Sequence, residues 1–198
     1  MKNRIQLQGI LLIWMRRRWK SMMFRGFDNE IVLKKAGAAD AETAAYTHAV
    51  AWQQSYRGTF DEAYLLSKSV EVRKQEFISR ISADSYFDYL IYKKQIPIGI
   101  LILEADSKNV LEIESLYILE AFRNVGAGSA ALAFVVKTAE ALGKRKISLW
   151  TLECNKRARR FYEQNNFVVT GEKRTIYRGD SFTQIKYSRL LSGRVEEK

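Results

Sequence analysis

The stretch that most constrains this chain is Arg123-Asn124-Val125-Gly126-Ala127-Gly128-Ser129. An apolar run from Leu111 to Leu119 precedes it, and a helical pattern from Ala130 to Leu142 follows. A strand therefore runs into a glycine-bearing turn, and the turn opens a helix. That geometry leaves several backbone N–H groups unpaired and pointing one way, with the positive end of the helix dipole behind them. Such a site holds a phosphate or pyrophosphate. Gly126 and Gly128 are expected to let the ligand approach the backbone closely. The same pattern also suits a plain strand–helix connection with two incidental glycines. Neighbouring phosphate motifs do not fit. A Walker A loop ends in Gly-Lys-Ser/Thr, whereas Gly128 is followed by Ser129-Ala130. A dinucleotide fingerprint places an acid at the end of a second strand, whereas Glu140 lies on the helix.

Composition narrows the class. A chain of 198 residues with 47% hydrophobic and 12% aromatic content suggests one folded domain with a full core. A single cysteine, Cys154, excludes a disulfide framework and any multi-cysteine metal site, so no metal is expected. The single histidine, His48, leaves no zinc cluster and no Ser–His pair, and reads as a helix-surface or partly buried residue. Cysteine usage fits a cytoplasmic location. The net charge of +11 looks like a nucleic-acid signal, but seven of the 33 basic residues fall in the first 27 positions, with no acid among them. The remainder is only mildly basic, with interleaved charge of the kind a solvated surface carries.

Residues 1–27 read as an extension, either disordered or not translated. Its apolar part, Gly9 to Met15, is too short to span a bilayer, and Arg16-Arg17-Arg18-Trp19-Lys20 is the wrong flank for a cleaved signal. It could form an amphipathic surface anchor. The preferred reading is that translation starts at Met22 or Met23, because Arg17-Arg18-Trp19 can be encoded by a purine-rich ribosome-binding sequence. One domain is expected over 28–191, followed by a tail, 192–198.

Regular patterning begins at Ile31. Ile31 to Lys35 reads as a strand, Asp40 as the N-cap of a helix from Ala41 to Ser55, Asp61 as the cap of a short helix through Leu66, and Ser69 as a weaker cap for a helix through Ile81. Tyr86 to Lys93 and Ile98 to Ala105 read as strands joined by Lys94-Gln95-Ile96-Pro97, and Val110 to Leu119 as a third. After the glycine turn and its helix come a strand at Ile147 to Thr151 and a helix capped by Asn155. An antiparallel pair, Phe167 to Gly171 and Phe182 to Leu190, closes the chain. The order is β-α-α-β-β-β-α-β-α-β-β, which predicts a mixed α/β (α+β) fold with helices flanking one sheet.

Three features in this order, Leu116-Tyr117-Ile118, the R-x-x-G-x-G turn and Asn155-x-x-Ala158-x-x-Phe161-Tyr162-x-x-x-x-Phe167, resemble the GCN5-related N-acetyltransferase (GNAT) superfamily across roughly residues 30 to 190. The resemblance implies a mostly antiparallel, splayed sheet and transfer of an acetyl group from acetyl-coenzyme A to an amine in a ternary complex. It places the pantetheine arm along Leu116, Tyr117 and Ile118. It places the pyrophosphate on the turn that begins at Arg123 and runs through Asn124, Val125, Gly126, Ala127, Gly128 and Ser129. Asn155 and Tyr162 fall near the thiol end. Independent chemistry agrees: a pyrophosphate needs an N–H nest, and an extended amide chain needs unpaired strand backbone. The chain departs from the common pattern at Asn124, Val125 and Glu120, none of which removes an N–H donor.

The resemblance makes Tyr162 a general acid for the departing thiolate, against the alternative of a core aromatic on an amphipathic helix. Glu112 and Glu114 lie two apart on the strand and hence on one face. Counting back from the turn, Glu112 falls where histone-acetylating relatives keep a base. Glu114 is assigned to the substrate side, and a water chain is the alternative to either carboxylate. The acceptor pocket is expected from Trp52, Tyr56, Arg57 and Phe60 facing Tyr177 to Phe182, with aromatic and acidic walls that suit a cationic amine. The acceptor is a small-molecule amine or a protein N-terminus. The expected partners are acetyl-CoA and this amine, with no nucleic acid and no membrane span; a homodimer is compatible. Two rival readings are a non-catalytic acyl-CoA sensor on the same fold and a basic nucleic-acid-binding module.

Overall fold

The computed structural model describes residues 31–81, 83, 85–105 and 109–191. The expected extension, 1–27, and the tail, 192–198, lie outside these residues. The elements are β1 (Ile31–Lys35), α1 (Ala41–Tyr56), α2 (Glu62–Ser67), α3 (Val70–Ile81), β2 (Tyr86–Lys93), β3 (Ile96–Ala105), β4 (Val110–Ile118), α4 (Ala127–Ala141), β5 (Lys146–Leu152), α5 (Lys156–Gln164), β6 (Val168–Tyr177) and β7 (Ser181–Leu190). The mixed α/β expectation holds, with the short α2 as a third helical piece between β1 and β2.

One seven-stranded sheet runs in the order β1-β2-β3-β4-β5-β7-β6. Every neighbouring pair is antiparallel except β4–β5. The helices divide between its faces. On α4, Ala127, Ala131, Leu132, Val135 and Ala139 are buried against Leu101, Leu103, Leu111, Ile113, Ile147 and Leu149. The opposite face packs Ala41 and Ala44 of α1 and Phe77 of α3 on Leu90, Ile100 and Ile102. Burying one side chain the size of Phe77 stabilises by about 1.5–3 kcal/mol, so each face holds its helices through a handful of such residues.

Local chemistry explains most boundaries. Asp61 accepts from the Tyr64 N–H at 3.0 Å and Asn155 from the Ala158 N–H at 3.1 Å, both as N-caps. Ser69 accepts from the Val72 N–H at 3.3 Å, the weaker cap expected. Asp40 differs: it makes no cap bond forward to α1, and its carboxylate turns back to the Gly37 N–H at 2.9 Å. Strand β6 runs on past Gly171, where the sequence reading ended it. Gly171 has φ +88° and sits in an irregularity between Val169 and Lys173, so it bulges the strand without ending it.

The functional geometry comes from β4. It pairs with β5 only from Val110 to Ile113, opposite Lys146 to Leu149. Beyond that point β4 continues to Ile118 and β5 to Leu152 with no ladder between them. On the other side β4 stays paired with β3 as far as Ile118, with one register shift: Ile102 opposes Ser115 and Leu103 opposes Ile113. Glu114 is the extra residue. A bulge adds local twist and bends its strand, which swings the end of β4 away from β5. Gly99 allows the close approach on the β3 side. A Cβ there would lie 2.6 Å from both the Tyr117 carbonyl oxygen and Ile118 Cδ1.

Candidate active site

The slot between β4 and β5 leads to the glycine turn. Among the described residues, no N–H from Asn124 to Ser129 has an acceptor, whereas the Arg123 N–H donates to Glu120 at 3.2 Å and the Ala130 N–H to Gly126 at 2.9 Å. Asn124 (φ 63°) and Gly126 (φ 84°) are both left-handed and flank Val125. That alternation turns successive N–H groups toward one side, forming a nest at the start of α4. The two glycines have different reasons to be there. Gly126 needs its positive φ, and open space surrounds its missing Cβ. At Gly128 a Cβ would lie 2.9 Å from Phe161 Cζ, so this glycine makes room for α5.

Arg123 belongs to the turn, but its side chain faces away from the nest. Its Nε donates to the Ile118 carbonyl at 3.3 Å and its Nη2 to Ser55 Oγ at 3.1 Å. The neighbouring Glu120 N–H donates to Gln54 Oε1 at 2.8 Å. These bonds tie the turn to the end of α1. Burial, with Arg157 and Arg57 nearby, pulls the Arg123 pKa below its usual value. Glu120, with Oε1 3.8 Å from Arg123 Nη1, opposes that fall.

Beyond the bulge, Leu116 and Ile118 pack toward the α4 side, while Tyr117 lies toward α1. Tyr117 stacks on His48 with centroids 5.7 Å apart and meets the Tyr56 hydroxyl at 3.3 Å. His48 is buried, more deeply than a surface helix residue, and burial with Arg73 and Arg80 nearby holds its pKa well below the usual value. Tyr162 projects from α5 against Phe161, Phe167 and Tyr187. Tyr117 raises the pKa of Tyr162, and Tyr117 and Tyr162 both raise that of Tyr56, whereas the hydrogen bond with Tyr56 lowers that of Tyr117. Burial is the larger cause, and it pushes the Tyr162 pKa far above the ordinary phenol range. The α5 register is set by Tyr187, whose hydroxyl donates to Glu163 at 2.7 Å and accepts from Arg159 Nε at 3.2 Å. Asn155 spends its side-chain carbonyl on the α5 cap and keeps its amide donors.

The two carboxylates occupy different settings. Glu112 still lies within the paired part of β4, opposite Glu104 and Ser148, and accepts a hydrogen bond from Ser148 Oγ at 3.1 Å. Glu114 stands at the bulge, where the β4–β5 ladder has ended, and is exposed to solvent. The surrounding protein raises its pKa by desolvation; Arg80 opposes the rise, and Glu104, Asp88 and Glu76 add to it.

On the α1 side, Trp52, Phe60, Leu65 and Leu152 form a buried cluster with Tyr56, Tyr64, Tyr117, Ile176 and Phe182 around it. Tyr56 stacks on Phe60 at 4.5 Å, and Phe60 meets Phe182 edge-on at 4.8 Å. The first helices and the last hairpin thus meet as the sequence reading expected. That reading missed the arginines Arg73, Arg174 and Arg178, which frame this cluster from α3 and the β6–β7 hairpin, and the Ser55 bracket on Arg123. No local motif marks any of them, because each acts across elements distant in sequence. Cys154 is exposed, and among the described residues no group of three or more His, Cys, Asp or Glu could hold a metal ion. No helix among them is long and apolar enough to cross a membrane.

Comparison with known proteins agrees with this geometry. The sequence profile described as acetyltransferase (GNAT) family matches residues 49–167. Uncharacterised N-acetyltransferases of Mycobacterium bovis and Mycobacterium tuberculosis are each 30% identical over 73 residues, covering 37% of this chain and 46% of the relative. The match thus spans about half the length of those curated relatives. The PaiA N-acetyltransferase of Thermoplasma acidophilum, solved in complex with coenzyme A, superposes with a TM-score of 0.67 at 21% identity, over 82% of this chain and 99% of that one. A GCN5-related N-acetyltransferase of Rhodopseudomonas palustris gives 0.68 at 15% identity, over 85% and 100%. A Bacillus anthracis protein described as a putative streptothricin acetyltransferase, in complex with acetyl coenzyme A, gives 0.52 at 23%, over 59% and 68%. Slot, nest, element order and profile together lead to one conclusion: this chain belongs to the GNAT acetyltransferase family.

Proposed function

We propose that this protein transfers the acetyl group of acetyl-CoA directly to an amine. One observation carries the reading: the splay between β4 and β5 opens onto a turn whose N–H groups, Asn124 to Ser129, have no partner among the described residues. Asn124, Val125, Gly126 and Ser129 are exposed, so an acceptor-rich anion can replace water on this row of N–H groups at the start of α4. A pyrophosphate supplies it, and Arg57, Arg123 and Arg157 add positive charge around the turn. The unpaired edge of β4 from Glu114 to Ile118 suits an extended amide chain such as pantetheine. Asn155, at the start of α5, keeps its amide donors for the thiol end of the coenzyme. The family's solved members with coenzyme A and acetyl coenzyme A bound support this placement.

The amine enters from the Trp52, Tyr56 and Phe60 side and loses its proton to a carboxylate. Glu114 suits that step better than Glu112, since it stands where the β4–β5 ladder has ended and desolvation raises its pKa, which makes it a stronger base. Glu112 then orients or attracts the acceptor. The amine nitrogen bonds to the thioester carbonyl carbon, the carbon–sulfur bond breaks, the sulfur takes a proton from Tyr162, and the proton the nitrogen sheds on becoming an amide returns, through solvent, to the Tyr162 phenolate. Burial keeps that phenol protonated until the sulfur leaves. Holding both substrates in one slot supplies much of the rate. The protein acts in this reading as an enzyme, and the sensor alternative predicts binding without turnover.

The test is release of free thiol from acetyl-CoA against a panel of amines, amino acids and N-terminal peptides. The proposal expects amine-dependent thiol and a matching acetylated product. Tight acetyl-CoA binding with no product from any amine would instead support the sensor.

A further inference from the structure

The acceptor side of the site carries positive charge for which the transfer chemistry has no use. Arg178 sits at the tip of the β6–β7 hairpin, with its guanidinium 5.9 Å from the centre of the Tyr64 ring and Nη1 donating only to the Tyr177 carbonyl, at 3.3 Å. The tip packs on α2 beside the Trp52 cluster. Gly179 (φ +80°) is pressed so close to α2 that a Cβ would lie 3.0 Å from Asp61 Cβ and 3.1 Å from Tyr64 Cβ. Arg174, four residues earlier, lies 4.3 Å over the Trp150 ring and donates to a neutral partner, Gln184 Oε1, at 2.7 Å. Arg174 and Ile176 alternate on β6 and share one face, and Ile176 packs on the Trp52 cluster. Among the described residues, neither Arg174 nor Arg178 has a carboxylate at ion-pair distance. On the opposite wall Arg73 lies 5.1 Å over Trp52. Its Nη1 meets Glu76 at 2.7 Å, but its Nε is buried with no acceptor. Arg178 and Arg73 both come close enough to Tyr117 to oppose the rise of its pKa, and Arg178 does the same at Tyr56.

We infer that the acceptor is an amine that also carries a carboxylate or similar oxyanion, held by Arg178 and Arg174 on the hairpin while the amine faces Glu114. This rests on the transferase reading above and names its substrate class. Arg178, with no carboxylate at ion-pair distance among the described residues, and Arg174, offset only by Glu112 beyond that distance, repel a second ammonium, which counts against a polyamine. The coenzyme's phosphates do not account for them, since the nest and Arg57, Arg123 and Arg157 serve that end of the slot. Aromatic faces at Tyr64 and Trp150 hold both guanidinium planes in place, leaving their N–H edges free for a planar oxyanion. Glu114 and Arg178 act on Tyr117 in opposite directions, so acidic and basic groups both lie near that ring. A zwitterionic acceptor matches both.

The experiment compares matched acceptors: an amino acid, its amide, the corresponding decarboxylated amine and a diamine. The wild type should favour the carboxylate form over its amide by roughly tenfold or more in kcat/KM, the size of one charge-assisted contact. In the Arg174→Gln/Arg178→Gln double variant that ratio should fall to near one. A wild type that prefers the amide or the diamine overturns the inference, as does a ratio that survives in the double variant. A second arm does not need turnover. In the presence of coenzyme A, an N-acetyl amino acid should raise the melting temperature of the wild type more than its amide does, and the double variant should lose the difference. Equal shifts in the wild type overturn the anion site. Absence of transfer to every amine, with the difference in shift intact, would sink the transferase reading and leave the anion site standing.

Discussion

Gly128→Ala isolates what the second glycine of the turn is for. The added Cβ would lie 2.9 Å from Phe161 Cζ and 3.2 Å from Cε2, against a comfortable carbon–carbon separation of about 3.5–4.0 Å. Phe161 cannot swing aside freely, because its ring packs on the main core cluster and beside Tyr162. Overpacking of this kind costs about 1–3 kcal/mol, and at roughly 2–4 °C per kcal/mol for a domain of this size a mid-range loss lowers Tm by about 4–8 °C. Relief follows from shrinking the neighbour. Phe161→Leu leaves a void when made alone, but in the Gly128→Ala/Phe161→Leu double variant the methyl fills part of that void. Thermal melts of the four proteins should show a favourable coupling of about 1–2 kcal/mol. Additivity to within about 0.5 kcal/mol would refute the reasoning. Gly126→Ala is the control: its surroundings are open, so the cost is about 1–2 kcal/mol for a left-handed alanine, and Phe161→Leu should not rescue it.

Further outcomes follow from the same geometry. Gly126→Asp sets a carboxylate among the unpaired N–H groups, so the rise in Tm that acetyl-CoA gives the wild type should vanish; an undiminished rise would remove the phosphate site from the turn. His48 has a folded-state pKa below its free value of about 6.5. As pH falls through that value, the unfolded chain binds a proton the folded chain refuses, so stability should decline with falling pH, and His48→Gln should lose that slope in melts from pH 8 to 5. Asp88 is buried and accepts from Arg80 Nη2 at 2.7 Å; Asp88→Asn should cost about 3 kcal/mol by leaving Arg80 uncompensated, read by denaturant titration. With a known acceptor, Glu114→Gln should remove the acid-side ionisation from the pH profile of kcat/KM, whereas Glu112→Gln should raise the acceptor KM and leave that ionisation in place; the reverse pattern would return the base to Glu112.

The sequence made the backbone of the site legible because its signals are local. A glycine turn between a strand and a helix, a capping Asn155 and an apolar face at Ala158, Phe161 and Tyr162 are each set by near neighbours in the chain. What it concealed depends on partners far away. The bulge at Glu114 exists only as a mismatch between β3 and β4, and it is what separates the settings of two carboxylates that looked equivalent. That Ser55, 68 positions away, brackets Arg123 is not visible in the turn's own sequence. Nor is the packing of Phe161 against Gly128. Gly171 reads as the end of a strand because a residue free to break a ladder is equally free to bulge one. The basic wall at Arg174 and Arg178 depends on how the last hairpin folds over α2, which composition cannot reveal.

The most direct test of the account is acetyl transfer from isotopically labelled acetyl-CoA to an accepted amine, measured for the wild type and Tyr162→Phe with coenzyme affinity determined on the same samples. Tyr162→Phe keeps the ring packed against Phe167 and Tyr187 and removes only the proton. The account predicts label in the amine product of the wild type. In the variant it predicts a fall in kcat of about 100-fold or more at nearly unchanged coenzyme Kd. An undiminished kcat in Tyr162→Phe, or label that never reaches an amine, would contradict it.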